Sequence, residues 1–136
     1  MSSTITFDAV TKSYPVGRGA ESVSPAVDSF TARIEAGTTT VLLGSSGCGK
    51  TTLLRMVNRM VEPSSGRVLI DDEDVATRDA VALRRSIGYV MQNAGLLPHR
   101  RVIDNIILVP RLQGADRRDA RCRALELMDM LDLDRD

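Results

Sequence analysis

With 136 residues, 43% of them apolar and 18 basic residues balancing 18 acidic ones, the chain has the size and composition of one ordinary globular domain. Its zero net charge and pI near 6.6 argue against a nucleic-acid-binding field, and no apolar run approaches the roughly 18 residues needed to span a bilayer. Met1 to Thr6 lacks the basic and apolar regions of a secretion signal, and two cysteines, Cys48 and Cys122, make neither a disulfide framework nor a metal-ligand cluster.

In chain order, Ile5 and Phe7 alternate with polar residues as in a half-buried strand, and Phe30, Ala32 and Ile34 repeat the pattern before a turn at Glu35-Ala36-Gly37. Pro15 to Pro25 between them is a loop rich in Gly and Ser. Thr38-Thr39-Thr40-Val41-Leu42-Leu43 reads as a strand running into Gly44-Ser45-Ser46-Gly47-Cys48-Gly49-Lys50-Thr51, which matches G-x-x-x-x-G-K-[ST]. Thr51 to Val57 runs out of it as a helix, with Leu53, Leu54, Val57, Met60 and Val61 at helical spacing until Glu62-Pro63-Ser64-Ser65-Gly66 stops it. Strand, glycine loop and helix are the context a phosphate loop requires.

The spelling of the loop follows from its chemistry. A triphosphate needs several N–H donors converging on its oxygens, so the chain must wrap tightly, and glycines accept the backbone angles this imposes. The helix that follows points free N–H groups and a positive dipole end at the anion. Lys50 would place a compact ammonium between the β- and γ-phosphates, and Thr51 would offer its hydroxyl to Mg²⁺. The chain spells its basic positions with sixteen arginines and only two lysines, Lys12 and Lys50, so the loop lysine is an exception.

Beyond the loop, Val68 and Ile70 alternate as a short strand, and Asp71-Asp72-Glu73-Asp74 reads as a solvated hairpin turn because it lacks the spaced ligands and central glycine of a calcium loop. Asp79 to Arg85 suggests a short helix. Ile87-Gly88-Tyr89-Val90-Met91 suits a strand buried on both faces that delivers Gln92 to the ligand-binding end of an open α/β sheet. The last third is helical: Val102, Ile103, Ile106, Ile107 and Val109 form an apolar segment interrupted at Pro110, and Ala124, Leu127, Met128 and Leu131 stripe a final amphipathic helix. Arg117, Arg118, Arg121 and Arg123, interleaved with Asp116 and Asp119, read as a solvated helix face, and His99 as a loop residue.

Together these segments resemble the nucleotide-binding domain of an ATP-binding cassette (ABC) transporter, from about Ile5 to the last residue. The resemblance implies an α/β P-loop NTPase fold with an antiparallel β subdomain at residues 1–43 and 66–75. A partial parallel-sheet core would occupy 44–65 and 76–98, and the start of a helical subdomain 99–136. It implies that Tyr14 stacks on adenine, that Gly44, Ser45, Ser46, Gly47, Cys48, Gly49, Lys50, Thr51 and Thr52 hold the phosphates of ATP, and that Gln92 approaches Mg²⁺ and the attacking water. Lys50 and Gln92 are thus the expected catalytic contributors, Thr51 and Gln92 the Mg²⁺ contacts.

A narrower similarity, carried by Val57 to Gly66, Gly95-Leu96-Leu97-Pro98-His99 and Asp104-Asn105-Ile106, is to ATPases of importers for glycine betaine, carnitine, choline or proline. It implies a second nucleotide-binding domain and transmembrane permease subunits as partners, a solute-binding protein indirectly, no nucleic acid, and a peripheral place on the cytoplasmic face of the cell membrane. The family's Leu-Ser-Gly-Gly-Gln signature, Asp-Glu strand and switch histidine are absent from these 136 residues. The expectation is therefore the N-terminal half or so of such a domain, binding ATP without efficient hydrolysis. A soluble ABC protein acting on nucleic acid or ribosomes, and a non-catalytic remnant, are the alternatives.

Overall fold

The computed structural model describes residues 2–14, 24–92 and 95–134, and the loop expected from Pro15 to Pro25 lies largely outside them. The chain divides into two compact units, Met1–Ile87 and Gly88–Asp136.

The first unit is built on a four-stranded antiparallel sheet of order β2-β1-β3-β4, with β1 Ile5–Lys12, β2 Val27–Ile34, β3 Ser65–Ile70 and β4 Glu73–Asp74. β1 departs from strict alternation at Ala9, whose φ of 48° marks a bulge where the register shifts against both neighbours. The core face of the strand therefore passes from Phe7 to Val10, three positions on, and both are buried. Phe7 meets Phe30 of β2 edge to face at 5.5 Å. Helices α1, Lys50–Val57, and α2, Ala80–Ser86, contribute Leu53, Met56, Val57 and Leu83 to the same core, with Val27, Val68, Ile70 and Val75.

Helix α1 ends earlier than its apolar spacing predicts. Arg59 takes a left-handed φ of 54°, its N–H donates to the Met56 carbonyl and Met60 N–H to the Arg55 carbonyl, which closes a Schellman cap. Arginine replaces the usual glycine there, and the turn is held from outside: the Arg84 guanidinium donates to the Asn58 and Arg59 carbonyls, and Arg59 donates to the Arg78 carbonyl and pairs with Glu62. Met60, beyond the cap, stays exposed, as does Leu54 on the outer face of α1, while Met56 is fully buried.

The acidic run is absorbed by the hairpin as expected. Asp71 accepts from Thr4 N–H, Asp72 lies 3.6 Å from Arg33, Glu73 pairs with Arg78, and Asp74 caps the 3₁₀ turn Val75–Thr77.

Two expected strands do not form. Residues 38–43 and 87–91 are without strand pairing among the described residues, and Val41, Leu43 and Val90 are 71%, 88% and 94% exposed. Both segments have strand-like composition, but a strand exists only where another pairs with it, and every pairing described is antiparallel. Among the described residues, the segments expected to form the partial parallel core around the loop are accordingly not paired as a sheet.

The second unit holds α3 Val102–Ile106, α4 Leu108–Leu112 and α5 Arg117–Met130. The break between α3 and α4 falls at Ile107, which leaves Pro110 in the first turn of α4, where a missing N–H costs nothing. Asp116 caps α5 through the Arg118 and Asp119 amides, and Ala120, Ala124 and Met128 bury one stripe against Ile103 and Ile107. Leu131 is exposed rather than part of that stripe. The Asn105 side chain accepts from Leu97 N–H and donates to the Leu97, Arg100 and Arg101 carbonyls, so it ties the Leu97 loop onto α3. The arginines at 117, 118, 121 and 123 are exposed, as are His99 and Cys122. Among the described residues no helix is long and apolar enough to cross a membrane.

Candidate nucleotide site

The loop from Gly44 to Gly49 leads directly into α1. The N-cap is Gly49, left-handed at φ 92°, and it supplies no side chain to the helix amides. The first bond back along the helix runs from Leu53 N–H to the Gly49 carbonyl. Helix geometry therefore leaves the amides of Lys50, Thr51 and Thr52 without an acceptor inside α1, all directed toward the loop. Gly49 is glycine for a second reason: a Cβ there would collide with the Ala26 carbonyl oxygen and stand 3.0 Å from Val27 Cγ2. The start of α1 is thus seated directly on the start of β2.

The Lys50 ammonium folds back over the loop. It donates to the Gly44 carbonyl at 2.8 Å and the Ser45 carbonyl at 2.6 Å, and lies 3.3 Å from Cys48 Sγ. It thus closes the loop through main-chain acceptors, weaker partners for an ammonium than an ionised phosphate oxygen would be. Residues 44–48 are exposed, and so is Thr51, while Thr52 is half-buried. Beside the loop lies a cavity of about 330 Å³, whose lining includes the apolar Phe30, Leu43 and Leu53 and the polar or charged Asp28, Cys48 and Lys50.

The end of β1, two residues before Tyr14, reaches the same region. The Lys12 carbonyl accepts from Ala26 N–H at 2.8 Å, and the Ala26 carbonyl is the group that Gly49 abuts, so the end of β1 and the loop share one contact residue. Two residues beyond Lys12, Tyr14 is 46% exposed. Its neighbourhood is stitched to the segment after α1: Ser64 N–H donates to the Thr11 carbonyl, Ser13 N–H to Ser64 Oγ, and the Lys12 ammonium to the Glu62 carbonyl. That ammonium also lies 5.3 Å from the Tyr14 ring centroid. Gln92 belongs to the second unit, exposed in a bend rather than at the end of a strand.

Ala26, against Gly49, and Lys12, against Tyr14, are the neighbours that motif reading passes over. Ala26 carries no signal, because it acts through its main chain. Lys12 is the only lysine outside the loop in an arginine-rich chain, but Tyr14 lies two residues past the end of β1, so no strand periodicity ties the two together in the sequence.

Residues 27–136, four fifths of the chain, match the ABC transporter family. The chain belongs to that family. It is 51% identical over 109 residues to the osmoprotectant import ATP-binding protein OsmV of Salmonella typhimurium, an alignment covering 80% of this chain and 28% of that protein. With the carnitine transport ATP-binding protein OpuCA of Listeria monocytogenes it shares 43% over 127 residues, 93% of this chain and 30% of that one. Among solved structures, the dimeric bacterial ABC transporter cassette MJ0796 superposes with a TM-score of 0.84 at 29% identity, covering 96% of this chain and 58% of that one. The chain therefore spans less than a third of the length of these curated relatives.

Proposed function

We propose that this chain is the ATP-binding part of an ABC import ATPase for a small osmoprotectant or quaternary amine. The observation that carries the reading is the phosphate loop: an uncapped α1 N-terminus, three amides without acceptors in the helix, and a lysine ammonium resting on two exposed carbonyls. These donors suit the β- and γ-phosphates, to which Lys50 would transfer from the Gly44 and Ser45 carbonyls. Ser45, Ser46, Gly47, Cys48 and Thr52 would complete the cradle, and Tyr14 would stack on the adenine.

Thr51 fits a Mg²⁺ contact, since this ion takes few protein oxygens beside those of phosphate and water. When bound, Mg²⁺ would neutralise charge on the β- and γ-phosphates. Gln92 is assigned beside it through the family likeness, to orient the attacking water. By the same likeness, the carboxylate that polarises this water falls outside the 136 residues, so on their own they bind ATP weakly and turn it over slowly. The import role is supported by the osmoprotectant and carnitine systems named in the similar proteins, and pairing with a second nucleotide-binding domain by the dimeric cassette. Permease subunits would hold the pair at the cytoplasmic face of the membrane, and a solute-binding protein would supply the solute.

Calorimetric titration with ATP and Mg²⁺ tests the site. Lys50→Ala should lower affinity at least about tenfold, the scale of one lost charge-assisted contact; equal affinities would remove the basis of the reading. Deletion of the gene should abolish osmotically induced uptake of labelled glycine betaine, carnitine, choline or proline, and unchanged uptake of all four would refute the import assignment.

A further inference from the structure

We infer that Lys12 is a positioning residue for the nucleotide base: it covers one face of the Tyr14 ring and, among the described residues, leaves the other as a one-sided platform for a purine. The inference rests on the reading of Tyr14 as the adenine-stacking residue and adds to it a group that no motif includes. Tyr14 stands just beyond β1, and a half-exposed aromatic at a strand end has two faces on which a base could settle. The Lys12 ammonium removes one of them by lying 5.3 Å from the ring centroid.

The ammonium is itself anchored, because it donates to the Glu62 carbonyl at 2.8 Å, and Glu62 is held by Arg59 at 2.8 Å. Arg59 in turn belongs to the cap of α1, the helix that begins at Lys50. The base platform and the phosphate loop are thus referenced to the two ends of one helix. An electrostatic consequence points the same way. Both faces of a tyrosine ring are negative, and so are those of a purine; a cation on the far side offsets the ring's field and lessens the repulsion between stacked faces.

The expected effect is specific to the base. In the full-length protein, Lys12→Met should weaken ATP binding about two- to fivefold, the range of an exposed cation–π contact. Binding of inorganic tripolyphosphate, which has no base, should not change, and Lys12→Arg should restore ATP affinity. In a Tyr14→Ala background Lys12→Met should have no further effect on ATP. Lys12→Gln, which keeps an N–H for the Glu62 carbonyl but loses the charge, should behave as Lys12→Met does and serves if the methionine variant does not fold.

Equal losses for ATP and tripolyphosphate would overturn the inference, since Lys12 would then act on the phosphates or on the fold. So would unchanged ATP affinity in Lys12→Met and Lys12→Gln alongside a loss in Tyr14→Ala, an outcome that leaves the Tyr14 reading standing. If Tyr14→Ala itself binds ATP and tripolyphosphate as the parent does, the Tyr14 reading fails and the inference with it.

Discussion

Gly47 and Gly49 offer a controlled pair for testing the architecture of the loop. Both are left-handed, at φ 81° and 92°, so alanine at either carries the same backbone strain, about 1–2 kcal/mol. At either site the loss of unfolded-chain freedom returns roughly 0.4–1 kcal/mol. Their surroundings differ. A Cβ at position 47 meets nothing within 4 Å, whereas at position 49 it collides with the Ala26 carbonyl oxygen. That carbonyl has little room to turn away, because the adjoining Ala26 N–H is fixed to the Lys12 carbonyl at 2.8 Å. The start of α1 would have to lift off β2, at an overpacking cost of about 1–3 kcal/mol.

Gly47→Ala should therefore destabilise the protein by about 1 kcal/mol and Gly49→Ala by about 2–4 kcal/mol. Urea unfolding followed by far-ultraviolet circular dichroism measures both, and ATP titration should show the larger loss in Gly49→Ala, whose helix amides are displaced. If the two variants unfold within about 0.5 kcal/mol of each other, the seating of α1 on Ala26 is wrong.

Other consequences can be checked separately. Alkylation of Cys48, exposed in the loop and 3.3 Å from the Lys50 ammonium, should abolish ATP binding and be slowed by bound ATP; Cys48→Ala should retain binding and resist the reagent, and a Cys48-alkylated protein that binds ATP normally would contradict the site. Hydrogen bonds from the Arg118 and Asp119 amides hold the Asp116 carboxyl below its ordinary value of 3.8. With a depressed folded-state pKa, its contribution to α5 is complete above the unfolded value and lost as pH falls through the folded one. Helicity should decline across that acid window, and Asp116→Asn, which keeps the accepting oxygen, should remove this component of the pH dependence while leaving the rest.

What the sequence made legible was local. The glycine loop, the acidic hairpin and the short helix from Asp79 each depend on residues within a few positions of one another, and each is present, as are β1, β2 and β3, whose alternation is written locally even though their pairing is not. The errors arise where distant groups decide. α1 stops at Val57 because Arg84 and Arg78 brace a left-handed arginine, and apolar spacing alone does not register such a brace. The bulge at Ala9 moved the core face of β1 without a glycine or proline to announce it. Of the candidate site residues, the backbone turn from Gly44 to Gly49 was legible because glycine spells it out. Lys12 was not, because its part depends on where the Glu62 carbonyl and the Tyr14 ring come to lie.

The same distinction governs residues 38–43. Their composition suits a strand, yet Val41 and Leu43 stand 71% and 88% exposed, and no strand pairs with them among the described residues. An extended apolar segment with open N–H and C=O groups is a template for another chain. In the 136-residue chain held monomeric, amide exchange at Val41, Leu42 and Leu43 should therefore be fast, while Phe7 and Val68, buried and paired with each other across the sheet, should exchange only on larger opening. Raising the concentration should slow exchange at 41–43 first if these residues are where a second chain adds. Strong protection of Val41 to Leu43 in a verified monomer would mean that the segment is already paired. The strand that composition predicts would then exist, and the loop it enters would be held from both sides.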